Sequence, residues 1–275
     1  MNISQAIEIA SQTSPGMVRS HNEDSITHDT DIGLVVLADG MGGYNAGEVA
    51  SGMAIAMIAA EMRQALSNVQ PYQPDGASGG PIAASLLLEN ARKANASIFQ
   101  TSQSQPQCAG MGTTLVAALF YDNRMSVVHV GDSRMYRLRG ENYEQVTRDH
   151  SLLQEQIDSG LISREDAKLS RNKNLVTRAI GIDPEVEPEV HTHEVLTGDI
   201  YLLCSDGLSD MVGDEDAGQT LLMLRSNLQL AADQLVQMAN DNGGRDNISV
   251  ILVKVNHEFP AYRGWLSRFM EWFDK

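Results

Sequence analysis

The stretch IGLVVLADGMGG, residues 32–43, decides how this chain is read. Its first part is almost unbroken apolar sequence rich in Val and Leu, the pattern of a strand buried on both faces. The run stops at Asp39, and Gly40, Met41, Gly42 and Gly43 follow with little side-chain bulk. A lone Asp-Gly after a strand reads as a turn. A carboxylate at the end of a core strand with space cleared around it also reads as a place where backbone carbonyls and solvent can reach a bound ion.

Asp39 has counterparts. Asp132 in VVHVGDSRMYRLR and Asp206 in IYLLCSDGLSD stand where an apolar run ends, each beside a glycine, and Asp246 in GGRDNISVILVKV stands where one begins. Carboxylates gathered at one edge of a core resist ionising together and attract divalent cations. An all-oxygen set without a Cys/His group points to Mg²⁺ or Mn²⁺ rather than zinc. Near the N-terminus, SPGMVRSHNEDS puts Arg19 shortly before Glu23 and Asp24. A guanidinium there can hold phosphate oxygens bidentately, and it also reads as a surface salt bridge.

Further strand-like runs occupy residues 113–120, 125–130, 135–139, 200–204 and 248–255. Helical periodicity marks 46–66, 82–100, 219–225 and 228–240, with a short helix expected near 151–160. Gly131, Asp132 and Ser133 lie between two strand-like runs and RGEN follows the second, which predicts a β-meander and antiparallel pairing. Residues 147–193 are mixed and charged, an excursion from the core. With no internal repeat, a single α+β domain is expected.

The chain of 275 residues is 42% hydrophobic, enough for a large core. Its net charge of -16, from 36 acidic against 20 basic residues, sets the field against nucleic acid and anionic lipid. Two cysteines are too few for a disulfide framework, the N-terminus lacks a secretory pattern and no apolar run could span a membrane, so a cytoplasmic protein is expected. At the C-terminal end, Trp265, Leu266, Phe269, Met270 and Phe273 fall on one helical face, so residues 258–275 read as an amphipathic tail that packs on its own domain or docks a partner.

Taken in order, GMVRSHNEDS, VVLADGMGG, GMGTTLVAAL, VVHVGDSRMYRLR, VTRDHSLL, LVTRAIG, LLCSDGL and GGRDNISVILV resemble the motifs of the metal-dependent type 2C protein serine/threonine phosphatases in their compact bacterial form. The resemblance runs from about residue 16 to residue 255. It implies a four-layer αββα sandwich, two antiparallel β-sheets flanked by helices, in a catalytic domain of residues 1–257 with a flap at 147–193. It implies two Mn²⁺ or Mg²⁺ ions and a third, weaker one. Carried onto this sequence, Asp39 would bridge both ions, the Gly40 carbonyl would bind one, and Asp206 and Asp246 would bind from the far side. Glu23 and Asp24 would act through water, Asn247 would support Asp246, and Arg19 would hold the substrate phosphate. Asp132 and Asp206 would form the third site.

The implied reaction is hydrolysis of phosphoserine and phosphothreonine in proteins by direct attack of a metal-bridging hydroxide, with a cognate serine/threonine kinase as counterpart. One departure stands out: many eukaryotic members of the family carry a histidine, the suggested general acid, where this chain has Met41. Methionine has no proton to give, which leaves a metal-bound water, His21 or His150 as the source.

Other chemistries fit less well. A cysteine-based phosphatase needs an arginine six positions after its thiolate, but Asp210 stands there after Cys204. Asp214 and Asp216 mimic an aspartyl-nucleophile pattern, yet they follow Met-Val-Gly and read as the start of a helix. No DxDxDG loop suggests an EF-hand. A silent phosphoprotein-binding relative would be free to lose any of Arg19, Asp39, Asp206 and Asp246, and all are present.

Overall fold

The computed structural model describes residues 3–43, 46–163, 166 and 175–261. Eleven strands alternate with helices among them. One sheet contains β1 (Ile7–Ser14), β7 (Arg134–Arg139), β8 (Asn142–Gln145), β10 (Ile200–Cys204) and β11 (Ile248–Val255). The second contains β2 (Asp24–Asp29), β3 (Leu34–Met41), β4 (Gly112–Thr113), β5 (Leu115–Tyr121), β6 (Arg124–Val130) and β9 (Glu189–Glu194). The first has the order β1-β11-β10-β7-β8 and the second β2-β3-β5-β6-β9, with β4 paired to β3. Every strand pair is antiparallel.

The sheets face each other across a core that includes Val35, Leu37, Val116, Phe120, Met125, Val127, Tyr201, Leu203, Ile251 and Val253. Phe120 and Tyr201 meet edge to face across it, with ring centroids 5.3 Å apart. Because alternate residues of a strand point to opposite faces, Leu34, Val36, Leu115, Ala117 and Leu119 face outward instead. They are covered by α1 (Ala46–Leu66) and α2 (Ile82–Ser104). Ala50, Ala54, Ile58 and Met62 recur every fourth residue, and the small ones let α1 lie close against its sheet.

On the far side of the first sheet, Leu228, Ala231, Ala232, Leu235 and Ala239 of a long helix (Leu228–Asp241) make the corresponding stripe. Its N-cap, Asn227, accepts a bond from Leu230 N–H at 3.1 Å. A shorter helix (Asp214–Leu224) lies beside it with Asp214, Glu215 and Asp216 in its first turn, as their sequence setting suggests. The four-layer αββα sandwich is therefore the observed fold.

Three expectations need correction. The β-meander through residues 131–133 does not form, because β6 and β7 belong to different sheets. Gly131, at φ +102, carries the chain across from one sheet to the other, and the true hairpins lie on either side. One turns at Asp122 and Asn123, both left-handed at φ 47 and 53, and the other at Gly140. Nor does β3 stop at Asp39, since Gly40 and Met41 continue it by pairing with Thr113 and Gly112 of β4.

The excursion of 147–193 contains a helix, Leu152–Asp158, capped by Ser151. It is tied back by bridges of Ser151 to Val176 and of Thr113 to Ile180. Its last part is not an excursion, because β9 is the edge strand of the second sheet.

Candidate active site

The sandwich brings the separated acids to one end. β2 and β3 place Asp24 opposite Asp39. Asp206 opens a short helix (Asp206–Ser209) directly after β10, and Asp246 precedes β11, which pairs with β10. Asp132 lies in the crossing from one sheet to the other. Burial raises the Asp39 carboxyl well above the usual carboxylate range, and the charges of Asp24, Asp206, Asp132 and Asp246 add to the effect. Asp206 is raised likewise, by burial and then by Asp132, Asp210, Asp246 and Asp24. Burial brings Asp24 and Asp132 to about 6 each. Glu23 is raised too, chiefly by burial, with Arg19 opposing the shift. The acids picked out from sequence thus form one mutually repelling group, which is the electrostatic signature of a cation site.

Hydroxyl groups position these carboxylates. The Asp39 N–H donates to Thr114 Oγ1 at 3.0 Å, and the Asp39 carbonyl accepts from Thr114 N–H and Thr113 Oγ1, each at 2.8 Å. Ser205 Oγ donates to Asp24 Oδ2 at 2.8 Å, whereas Asp24 Oδ1 is buried with no protein partner. An orphaned carboxylate oxygen within an acidic group fits an ion or its water.

Asn247 does more than support Asp246. Its Oδ1 accepts from Glu23 N–H at 2.8 Å, and its Nδ2 donates to the carbonyls of His21 at 2.8 Å and Pro15 at 3.1 Å. One buried amide therefore pins both ends of the loop that carries Arg19. The Gly244 carbonyl holds the same loop by accepting from Met17 N–H at 2.7 Å and Val18 N–H at 3.2 Å. Arg19 itself is half exposed and donates through Nη2 to Asp246 Oδ2 at 2.8 Å. The salt-bridge reading of Arg19 is the one observed, and its ion partner belongs to the acidic group.

Two of the glycines also permit close backbone packing. A Cβ on Gly40 would stand 2.1 Å from the Gly47 carbonyl oxygen and 2.6 Å from that of Glu23. One on Gly207 would stand 1.9 Å from the Asn247 carbonyl oxygen. These positions let backbones cross closely behind the acids. Of the histidines considered as proton donors, His21 is exposed, while His150 is buried and accepts a bond from Gly131 N–H at 3.2 Å.

A cavity of about 810 Å³ opens from the acidic group and is lined by Asp132, Asp206, Asp210, Asp149 and Gln154, among others. Arg134 grips Asp149 there with bonds of 2.7 to 3.0 Å. Asp210 and Asp149 line the same cavity as Asp132 and Asp206 and were missed by sequence reasoning. For Asp210 the signal was present, since SDGLSD places it one helical turn after Asp206.

The family model for protein phosphatase 2C matches residues 16–252. The chain belongs to the protein phosphatase 2C family. It is 38% identical over 253 residues to the serine/threonine protein phosphatase PstP of Mycobacterium tuberculosis, a match covering 92% of this chain and 46% of PstP. The chain thus spans about half the length of that relative. With the serine/threonine phosphatase Stp of Listeria welshimeri it shares 36% identity over 248 residues, covering 89% of this chain and 94% of Stp. The crystal structure of M. tuberculosis PstP superposes with a TM-score of 0.82 at 38% identity, covering 92% of this chain and 100% of that one. A structure of the PstP catalytic domain in complex with two manganese ions gives 0.78 at 37% identity, covering 92% and 99%. Among the described residues no helix is long and apolar enough to cross a membrane.

Proposed function

We propose that the protein is a metal-dependent phosphatase that removes phosphate from serine and threonine side chains of proteins. The observation that carries this reading is the convergence of Asp24, Asp39, Asp132, Asp206 and Asp246, with raised carboxyls and an unpartnered Asp24 oxygen. Asp39, the Gly40 carbonyl, Asp206 and Asp246 would hold two Mn²⁺ or Mg²⁺ ions, with Glu23 and Asp24 acting through water and Asp132 joining Asp206 at a third. The two manganese ions of the similar PstP domain support this assignment. Bound there, such ions acidify water and offset charge on phosphoryl oxygens.

The chain's own residues do the rest. Arg19 presents a planar fork beside Asp246, so a phosphate entering this end of the sandwich can take up the guanidinium and be held for in-line displacement. Asn247 and Gly244 keep that fork in place by fixing its loop. The cavity between the acids and the helix Leu152–Asp158 offers room for the polypeptide around the phosphoresidue. Of residues 147–193, those before β9 are the proposed flap, and the catalytic domain proposed for residues 1–257 extends to include Phe259, which is buried in the core.

A serine/threonine kinase is the proposed counterpart. A cytoplasmic setting is supported by Cys108 and Cys204, both free and buried. Docking of a partner is proposed for the apolar face of residues 262–275, which lie outside the described residues.

Release of phosphate from phosphoserine and phosphothreonine peptides tests the activity. It is expected with Mn²⁺ or Mg²⁺ and abolished by chelator; full turnover in chelator would refute the reading.

A further inference from the structure

A second set of ligand atoms meets at the edge of the second sheet and shares no residue with the acidic group. β6 and β9 place His129 opposite Glu189. His150 N–H donates to the Gly131 carbonyl at 2.9 Å, which brings its ring against His129 with centroids 4.8 Å apart and 26° between planes. One nitrogen of each ring and a Glu189 oxygen lie within 4.8 Å of one another.

Hydrogen bonding fixes what these nitrogens offer. His129 Nε2 lies 2.8 Å from the Arg148 carbonyl and must carry the proton, so Nδ1 holds the lone pair. That Nδ1 is buried and has no partner. His150 Nδ1 accepts from Gly131 N–H, so its buried Nε2 carries the ring proton and lies 3.2 Å from Glu189 Oε1. Burial lowers the His129 pKa to about 4 and depresses that of His150, so both rings are neutral near pH 7. A buried imidazole lone pair with no donor facing it, at His129 Nδ1, is costly to keep unless something binds it.

We propose that His129 Nδ1, His150 Nε2 and the Glu189 carboxylate form a separate site for a transition-metal dication of the Zn²⁺ type. Imidazole nitrogen suits such ions, whereas the all-oxygen acidic group suits Mn²⁺ and Mg²⁺. Ligand atoms on a tetrahedral ion with bonds near 2.0 Å stand roughly 3.3 Å apart, so the set must contract. Glu189 can supply the movement and the way in, because its side chain is 36% exposed and His191 beside it is 49% exposed. His191 Nε2, 3.6 Å from Glu189 Oε2, is within reach as a fourth ligand.

The ion has one competitor and one consequence. Arg178 Nη1 lies 3.7 Å from Glu189 Oε1 and must give up that contact. Ligation through Nε2 also moves the His150 ring proton to Nδ1, where it faces the Gly131 N–H that Nδ1 now accepts. An ion here therefore works against the present position of Gly131, next to Asp132, and lowers turnover.

The test titrates the full chain with Zn²⁺ by calorimetry and with Co²⁺ by its visible spectrum, in saturating Mg²⁺ to keep the acidic group filled. One Zn²⁺ equivalent and an intense tetrahedral Co²⁺ band are expected. Both should persist in Asp39→Asn, weaken at least tenfold in Glu189→Gln and His129→Gln, and tighten several-fold in Arg178→Gln. If His129→Gln fails to fold, Glu189→Gln decides, since it alters a partly exposed side chain. Equal Zn²⁺ binding in Glu189→Gln and the parent, or loss of the equivalent in Asp39→Asn, overturns the site. At fixed Mn²⁺, Zn²⁺ should inhibit phosphopeptide turnover several-fold more in the parent than in Glu189→Gln. Equal inhibition would assign the effect to the acidic group and overturn the coupling.

Discussion

Asp39 sits where the charges of Asp24, Asp132, Asp206 and Asp246 all reach it, so its removal is expected to cost the most. Asp39→Asn should lower phosphopeptide turnover by at least a thousandfold while leaving a folded protein with a raised metal-free melting temperature, because a repelling charge is gone. Turnover near that of the parent would dismiss Asp39 as a ligand.

The same repulsion gives a pH dependence. Asp24 and Asp132 reach about 6 in the folded protein, above their unfolded values. The folded state therefore binds more protons than the unfolded state between about pH 4 and 6, and the stability these groups provide is lost as pH rises through that window. Each accounts for on the order of 3 kcal/mol. Depressed histidines such as His129 act in the opposite direction, so the informative quantity is the difference between Mn²⁺-loaded and chelated protein. That difference in melting temperature should grow from pH 4.5 to pH 7; a constant difference would show that the carboxyls do not bind the ion.

At the scale of elements, the loop between β1 and β2 depends on Asn247, which holds Glu23, His21 and Pro15 from the start of β11. Asn247→Ala should destabilise the protein by about 2 to 4 kcal/mol, since it leaves buried backbone groups without partners. It should also raise KM for phosphopeptide more than it lowers kcat, because Arg19 loses its fixed position. A uniform loss that tracks only the folded fraction would reduce Asn247 to a structural role. The crossing at Gly131 is equally constrained, as a Cβ there would come within 2.7 Å of Thr114 Cγ2 at a backbone φ of +102. Thr114 in turn accepts from the Asp39 N–H, so the crossing and the acidic group share a support.

For the whole molecule, the question is where the folded unit stops. Phe259 is 4% exposed in the core between the sheets, and its N–H donates to Asn123 Oδ1 at 2.6 Å. The Ala261 N–H donates to Asp122 Oδ1 at 2.8 Å. A chain ending at residue 261 is expected to keep its melting temperature and small-substrate turnover within a few-fold. Ending it at residue 257 should cost about 2 to 3 kcal/mol through loss of the buried phenyl ring. Equal melting temperatures for the two truncations would show that Phe259 adds nothing to the core.

The sequence by itself determined the apolar strands, the amphipathic helices and the family, because each rests on local periodicity or on ordered short motifs. Val35, Leu37 and their like are legible as core since a period of two or of 3.6 residues is written along the chain. It also marked Asp39, Asp132, Asp206 and Asp246, since a carboxylate interrupting an apolar run is conspicuous. Only the tertiary structure decided that Gly131 leads across to the other sheet, because a turn between two strands looks alike whether it closes a hairpin or joins two layers. Strands β1, β2 and β9 escaped notice for a related reason: all three lie at sheet edges, where solvent on one side weakens the apolar alternation. The meeting of His129, His150 and Glu189 was equally hidden, since they come from a strand, a loop and an edge strand that only sheet pairing brings together.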